Sequence, residues 1–332
     1  MSDTLPGKTD TIEWLLSAKE PWVIYNTLLD LAGASPDSPE AATAYQAMQN
    51  HPHVVTLIEA LDTWPPDKPL GKAYDPKDSI WKLGTLADFG LRRDDPRIAA
   101  IAERLFSAQA EEGGFLHGGF DHTKSWHIRP YICISHVMTY ALARFGYLDD
   151  PRLLRAYDHI LSWQRLDGGW HPNKLNLPGN EREAEPSCPF GTLNVLRALV
   201  AHPDLRDSEH AIHAANNLLG CWQRRSEPYR PVGFGIGATW DKIQYPFVQY
   251  QLLKTADTLS QVPSIRTDPR FKEIIAHIES KRDANGHWTP EGTNKPYADF
   301  DFGQKKEPSP WITFLALRTI ARTKEWYGRI SL

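Results

Sequence analysis

The chain has 332 residues, 41% of them hydrophobic, and a net charge of −4. That length supports one large core, and the charge excludes a global pull toward nucleic acid or acidic membrane surfaces. No apolar run approaches the roughly 20 residues that span a bilayer, so a chain without a transmembrane segment is expected. The first ten residues are polar and lack a signal-peptide core, and 1–9 reads as a flexible tail. Cys133, Cys188 and Cys221 show no close pairing, which favours a reducing compartment, by default the cytoplasm. The 12 Trp, 12 Tyr and 12 Phe read first as packing groups.

Helical periodicity dominates, and long alternating Val/Ile/Thr runs are absent. A short helix is expected over 10–18, and an apolar one over 21–32. A start signal then recurs: Ser38-Pro39-Glu40, Asp95-Pro96-Arg97, Asp150-Pro151-Arg152 and Asp268-Pro269-Arg270, with Ser208-Glu209 in the same slot. Ser and Asp accept bonds from the free amides of a first turn, and proline at the first helical position loses nothing. The helices that follow carry one apolar stripe each and form an outer set. A second, inner set is apolar all round: 21–32, 78–90, 130–145, 188–201, 245–260 and 309–322. Most of its members place an aromatic or a cysteine two residues before a small polar or amide residue: Tyr25/Thr27, Cys133/Ser135, Phe190/Thr192, Phe247/Gln249 and Trp311/Thr313.

A third signal lies between outer and inner helices. Gln164-Arg165-Leu166-Asp167-Gly168-Gly169-Trp170 has weaker copies at Gln109–Phe115, Trp222-Gln223 and Arg282–Trp288, with steps of 55, 59 and 59 residues. Such a period means one supersecondary unit repeated. Six inner with five to six outer helices predict an all-α, single-domain (α/α)6 toroid over 1–332. Inner-to-outer links are short and outer-to-inner links are long, so the expected site is the mouth at the inner helices' N-termini. Those N-termini would favour an anionic group.

Gln164–Trp170 resembles the Gln-x-x-Asp-Gly-x-Trp repeat of squalene–hopene cyclases. The period resembles the wider terpenoid cyclase/protein prenyltransferase toroid superfamily. The resemblance implies that Gln164, Asp167, Gly168 and Trp170 serve the fold. Protonating cyclases of that superfamily carry an Asp-x-Asp-Asp acid motif, which is absent here. Its nearest approach is Asp299-Phe300-Asp301, before Lys305, Lys306 and Glu307. Two carboxylates at i and i+2 can share a proton; the alternative is pairing with Lys305 and Lys306. The Asp-Asp pairs at 94–95 and 149–150 are helix caps.

The superfamily also contains zinc enzymes, but no ligand spacing of theirs is present. No cofactor is expected; were zinc bound, Cys188, His171 and Asp121 would be the set. The segment 117–129, with His122 and His127, is dense in proton-transfer groups and reads equally as an acid–base pair or as a polar lid. Asn26, Asp30, Lys82, Asp88 and His136 are polar among apolar inner-helix neighbours and must be paired or functional. Lys82 is the partner expected for Asp30.

The reading is a terpenoid-cyclase-like enzyme doing acid–base chemistry (cyclisation, isomerisation or hydration/dehydration) on an isoprenoid or other apolar small molecule. Asp299, Asp301 and Glu307 are the acid candidates, and His122 and His127 the proton carriers. Arg129 and Lys305 are the anion contacts. Tyr25, Trp81, Trp126, Tyr245 and Trp311 are the cavity walls, whose ring faces can shelter a cation. The alternatives are a glycan lyase or hydrolase with Trp126, Trp240 and Trp311 as sugar platforms, a zinc-dependent toroid enzyme, and a non-catalytic binding toroid. A deep apolar cavity with perturbed acids marks the first, an open groove with exposed tryptophans the glycan enzyme, and a filled barrel the binder.

Overall fold

A computed structural model describes residues 8–63, 75–120, 126–130, 135–171, 185–231 and 240–324. Its α-helices are α1 (Lys8–Leu16), α2 (Pro21–Asp30), α3 (Pro39–Gln49), α4 (Pro52–Glu59), α5 (Ser79–Phe89), α6 (Pro96–Ser107), α7 (Ser135–Arg144), α8 (Pro151–Ser162), α9 (Pro189–Ala201), α10 (Glu209–Gln223), α11 (Leu252–Leu259), α12 (Pro269–Ser280) and α13 (Pro310–Thr323). None is long and apolar enough to cross a membrane.

The cap signals do what their chemistry requires. Asp95, Asp150 and Asp268 each accept the amide N–H two residues on, at 2.8–2.9 Å. The arginine of each Asp-Pro-Arg turns back onto the same carboxylate, through Arg97, Arg152 and Arg270. Each cap thus gains an amide bond and a charge-assisted one. The second outer helix is divided where Pro52 breaks it, and His51 caps the new start by accepting the His53 amide.

The inner set closes on itself. α2 packs on α5, α5 on α7, α7 on α9, α9 on α11, α11 on α13, and α13 returns to α2. Each outer helix is followed by its inner partner, so the architecture is a toroid of two concentric helical layers. The short inner-to-outer turns need a left-handed residue, which Gly90 supplies at φ 92°.

The repeated glutamine is a clasp between successive units. Gln164 Nε2 donates to the carbonyls of Gly168, in its own turn, and His210, on α10. Gln109 Nε2 does the same with Gly113 and Arg152. The terminal tryptophans fasten the other direction. Trp170 Nε1 donates to Ile160 O on α8, while its amide donates to Thr192 Oγ1 on α9. Trp288 repeats both bonds with Ile278 and Thr313, and Ser135 bonds Phe115 O. The small polar residue of the inner-helix pattern is therefore the inner anchor of this clasp at Ser135, Thr192 and Thr313.

Three expectations are corrected. Leu116–Phe120 (β1) and Trp126–Pro130 (β2) form an antiparallel hairpin, with Leu116 opposite Pro130 and Phe120 opposite Trp126. The inner helix expected over 130–145 therefore starts at Ser135. The one expected over 245–260 starts at Leu252, because Pro246 biases the residue before it toward extended backbone and Gln251 is itself extended. Asp30 pairs with Arg318 at 3.1 Å rather than with Lys82; the salt bridge joins the first inner helix to the last.

Candidate active site

The inner ring encloses a charged network that draws on all six inner helices. Asp88 on α5 is its centre. Its Oδ1 accepts the Tyr140 hydroxyl at 2.6 Å and the Arg197 guanidinium, and its Oδ2 accepts the Tyr245 hydroxyl at 2.8 Å. Arg197 also lies over the Tyr140 ring at 4.0 Å. Burial works against the Arg197 charge, but the Asp88 carboxylate outweighs it and holds the guanidinium above its usual range. Asp257 on α11 is similarly enclosed. Burial would raise its pKa, yet Arg318 and Arg322 hold it below the usual carboxylate range, with Arg318 reaching on to Asp30.

Lys254, on the same helix, is fully buried, and among the described residues its partner is Asn194 and not a carboxylate. Its amine donates to Asn194 Oδ1 at 2.5 Å and stands 5.6 Å from the ring centroids of both Trp81 and Phe190. Burial, with Arg197 adding to it, drives its pKa well below the ordinary lysine value. Burial thus disfavours the charged form of the amine among these aromatic faces.

Toward the mouth, aromatic rings line the ring interior. Tyr245 meets Trp311 at 5.7 Å and Phe302 at 4.8 Å. The indole N–H groups of Trp81 and Trp311 are enclosed without an acceptor. Asp301 stands at the backbone of Trp311. Its Oδ2 accepts the Trp311 amide at 2.9 Å and the Ser309 hydroxyl, so it caps α13. Its Oδ1 is enclosed and has no partner. Burial pushes the carboxyl up to about 7, against the pull of the Ser309 and Trp311 bonds. The raised value favours retention of a proton toward neutral pH, and Oδ1 is the carboxyl oxygen without a partner.

The sequence-derived candidates separate on this geometry. Trp81, Tyr245 and Trp311 are buried in the core, and Asp301 sits at the start of α13, bonded to the Trp311 amide. Asp299, Glu307 and Lys305 are exposed, and Asp301 bonds the start of α13 rather than Lys305 or Lys306. Tyr25 faces outward, against Tyr45 at 5.3 Å and Arg92 at 3.3 Å. Asp121 and His122 lie outside the described residues, as do the side chains of Trp126, His127 and Arg129. Trp240 and Trp311, expected sugar platforms, are fully enclosed. Cys188 caps α9, accepting the Gly191 amide at 3.4 Å, and His171 pairs with Glu185 at 3.2 Å. Among the described residues no three His, Cys, Asp or Glu are grouped to hold a metal.

Sequence reasoning missed Lys254, Asn194, Arg197 and Tyr140. A signal existed for two of them: Lys254 and Arg197 are cations inside all-apolar helical runs, the same anomaly that marked Asp88.

No family model matches the chain, and no curated protein sequence matches it. Solved structures do. The type II terpene cyclase MstE from Scytonema matches at 13% identity and a TM-score of 0.42, covering 98% of this chain and all of the other. Unsaturated glucuronyl hydrolase from Bacillus sp. GL1 matches at 13% identity and 0.48, covering 97% and 89%. A protein from Actinoplanes matches at 15% identity and 0.43, covering 96% and 98%. With each TM-score below 0.5, none of these likenesses carries an argument about substrate or reaction.

Proposed function

We propose that the chain is an acid–base enzyme acting on an apolar, isoprenoid-like molecule inside the inner ring. One observation carries the reading. Two titratable groups are pushed in opposite directions, Asp301 at the Trp311 amide up to about 7 and Lys254 against Trp81 and Phe190 well below its ordinary value. Such divergent pairs are how one fold runs acid and base chemistry at neutral pH. Asp301 gives its Oδ1 proton to an alkene or a leaving hydroxyl. The faces of Trp81, Phe190 and Trp311 stabilise the cation that results. The Lys254 amine takes a proton from a neighbouring carbon. An alkene gains one proton and loses one, which accounts for isomerisation or cyclisation without net change; an alcohol loses its hydroxyl as water and a carbon proton to Lys254, which is dehydration. Cys221, a buried free thiol, fits a reducing compartment such as the cytoplasm.

The test is incubation with a panel of prenyl alkenes and alcohols in D2O, with products read by mass spectrometry. Deuterium should enter the product of an alkene, whereas an alcohol should lose water, and Asp301→Asn and Lys254→Met should each abolish product formation. Product formed at wild-type rates by both variants would overturn the assignment. A second reading, a binding toroid without turnover, is favoured by how completely Trp81, Tyr245, Lys254 and Trp311 are enclosed. A panel member that binds tightly and emerges with no deuterium and no loss of water would select it.

A further inference from the structure

A cavity lies between the two helical layers, where the turn 113–115 and Pro130 meet α7 and α8. It holds about 280 Å³ of empty space, and Gly114, Pro130, His136, Thr139, His159 and Ile160 stand in its wall. Two imidazoles therefore border one space, His136 from the inner layer and His159 from the outer.

His136 is 3% exposed, and neither of its ring nitrogens has a hydrogen-bond partner. A neutral imidazole carries one N–H and one lone pair, and each left unmet in the interior costs about 1–3 kcal/mol. Burial, with His159 adding to it, pushes the ring down to about 3, so protonation gives no relief at neutral pH. Burial lowers His159 too, against the pull of Glu112. Packing alone does not call for histidine here, since an apolar side chain would fill the same place without that cost.

Gly114 keeps the space open. Gly113 needs to be glycine for its backbone, at φ 102°, but Gly114 is outside the left-handed region. A Cβ on Gly114 would stand 2.8 Å from His159 Nε2 and 2.6 Å from Pro130 Cγ. The wall contains no carboxylate among the described residues, and the Ser135 hydroxyl is committed to Phe115 O.

We infer that His136 and His159 hold one monovalent transition-metal ion, Cu(I), between the inner and outer layers. Imidazole is a donor that suits copper, and a monovalent copper ion is satisfied by two donors. A divalent ion would bring a charge that no carboxylate of the wall offsets, and zinc would require three or four converging groups. Among the described residues no third ligating side chain joins this pair. The site stands apart from Asp301 and Lys254 and does not depend on their roles.

The experiment is anaerobic titration of the metal-free full chain with Cu(I) against a chromophoric copper chelator, with X-ray absorption of the loaded protein. One ion per chain is expected, with nitrogen neighbours and no sulfur. His136→Leu and His159→Leu should each weaken binding by at least about tenfold. His213→Gln, a change at an exposed residue of α10, should leave it unaltered. No binding, sulfur bound to the copper, tighter binding of zinc by the same histidines, or equal affinity in wild type and both leucine variants would each overturn the inference. Thermal melts of the metal-free proteins guard against misfolding. His136→Leu removes two unmet polar atoms and should melt at or above wild type; if it melts early, His159→Leu, on the half-buried side, carries the test. Copper should raise the melting temperature of wild type and of neither leucine variant. A rise shared by all three places the copper elsewhere, and the site does not exist.

Discussion

Asp301→Asn should change how stability depends on pH. In the folded chain the carboxyl titrates near 7, against 3.8 unperturbed. Its folded pKa is therefore raised. The stability it contributes is fully present below the unfolded value and is lost as pH rises through the folded one. Between the two, the native state holds a proton that the unfolded state has released. Each pH unit in that window costs about 1.36 kcal/mol, so the whole window costs at most about 4 kcal/mol. Asparagine is the neutral isostere. Its carbonyl takes the place of Oδ2, accepting from Ser309 and Trp311, and its amide takes the place of the protonated Oδ1. Urea unfolding of both proteins at half-unit steps from pH 4 to 8.5 gives the difference directly, because groups common to both cancel. Wild type should be the equal or the more stable near pH 4. The variant should gain on it by about 2–4 kcal/mol by pH 8.5. A difference that stays flat across that range would show that the carboxyl ionises normally, and the acid role would fall with it.

Other perturbations follow from the same geometry. Arg197→Met leaves the buried Asp88 carboxylate without its counter-ion, held only by the Tyr140 and Tyr245 hydroxyls, and should cost about 3–5 kcal/mol in chemical denaturation; a loss under 1 kcal/mol would mean that water reaches Asp88. Lys254→Met removes a desolvated amine, so its melting temperature should equal or exceed that of wild type in calorimetry while product formation stops. Gly168→Ala meets a backbone at φ 82° and a carbonyl oxygen of His213 only 2.6 Å from the added carbon. It should destabilise by about 1–3 kcal/mol, and a neutral result would contradict the tight seating of this turn. Thr313→Val leaves the Trp288 amide without its acceptor and should cost about 1–3 kcal/mol, visible as a lower urea midpoint at unchanged slope.

The helical layers were legible because they are written locally. Asp-Pro-Arg announces an outer helix within three residues, and an all-apolar run with one small hydroxyl announces an inner one. The hydroxyls at Ser135, Thr192 and Thr313 were visible as a pattern, but their partners, the aromatic residues of the preceding turns, were not. The hairpin at 116–130 escaped because its pairing rests on register rather than on β-branched side chains. Of the site proposed here, the sequence singled out Asp301, Trp81, Tyr245 and Trp311, and it marked Asp88 as a buried polar anomaly. Asp88 meets Tyr245 across 157 residues and Arg197 across 109. Nothing in a local window announces which buried charge will meet which. The same limit produced the Lys82–Asp30 pairing in place of Arg318–Asp30.

The salt bridge from Arg318 to Asp30 spans 288 residues of sequence, and the packing of α13 on α2 spans a comparable stretch. Open arrays of repeats can nucleate anywhere and grow by neighbour contacts, and they can fray from either end. This chain has no free edge of that kind once its ends have met. Until they meet, α2 and α13 each expose an apolar flank, and Asp30 lacks its ion partner. The closing step must overcome the entropy of bringing both ends of a long chain together, a cost that grows only slowly with length yet slows folding when contacts are distant in sequence. Damage at that seam is therefore felt around the whole circumference, and the toroid should come apart in one cooperative transition rather than unit by unit.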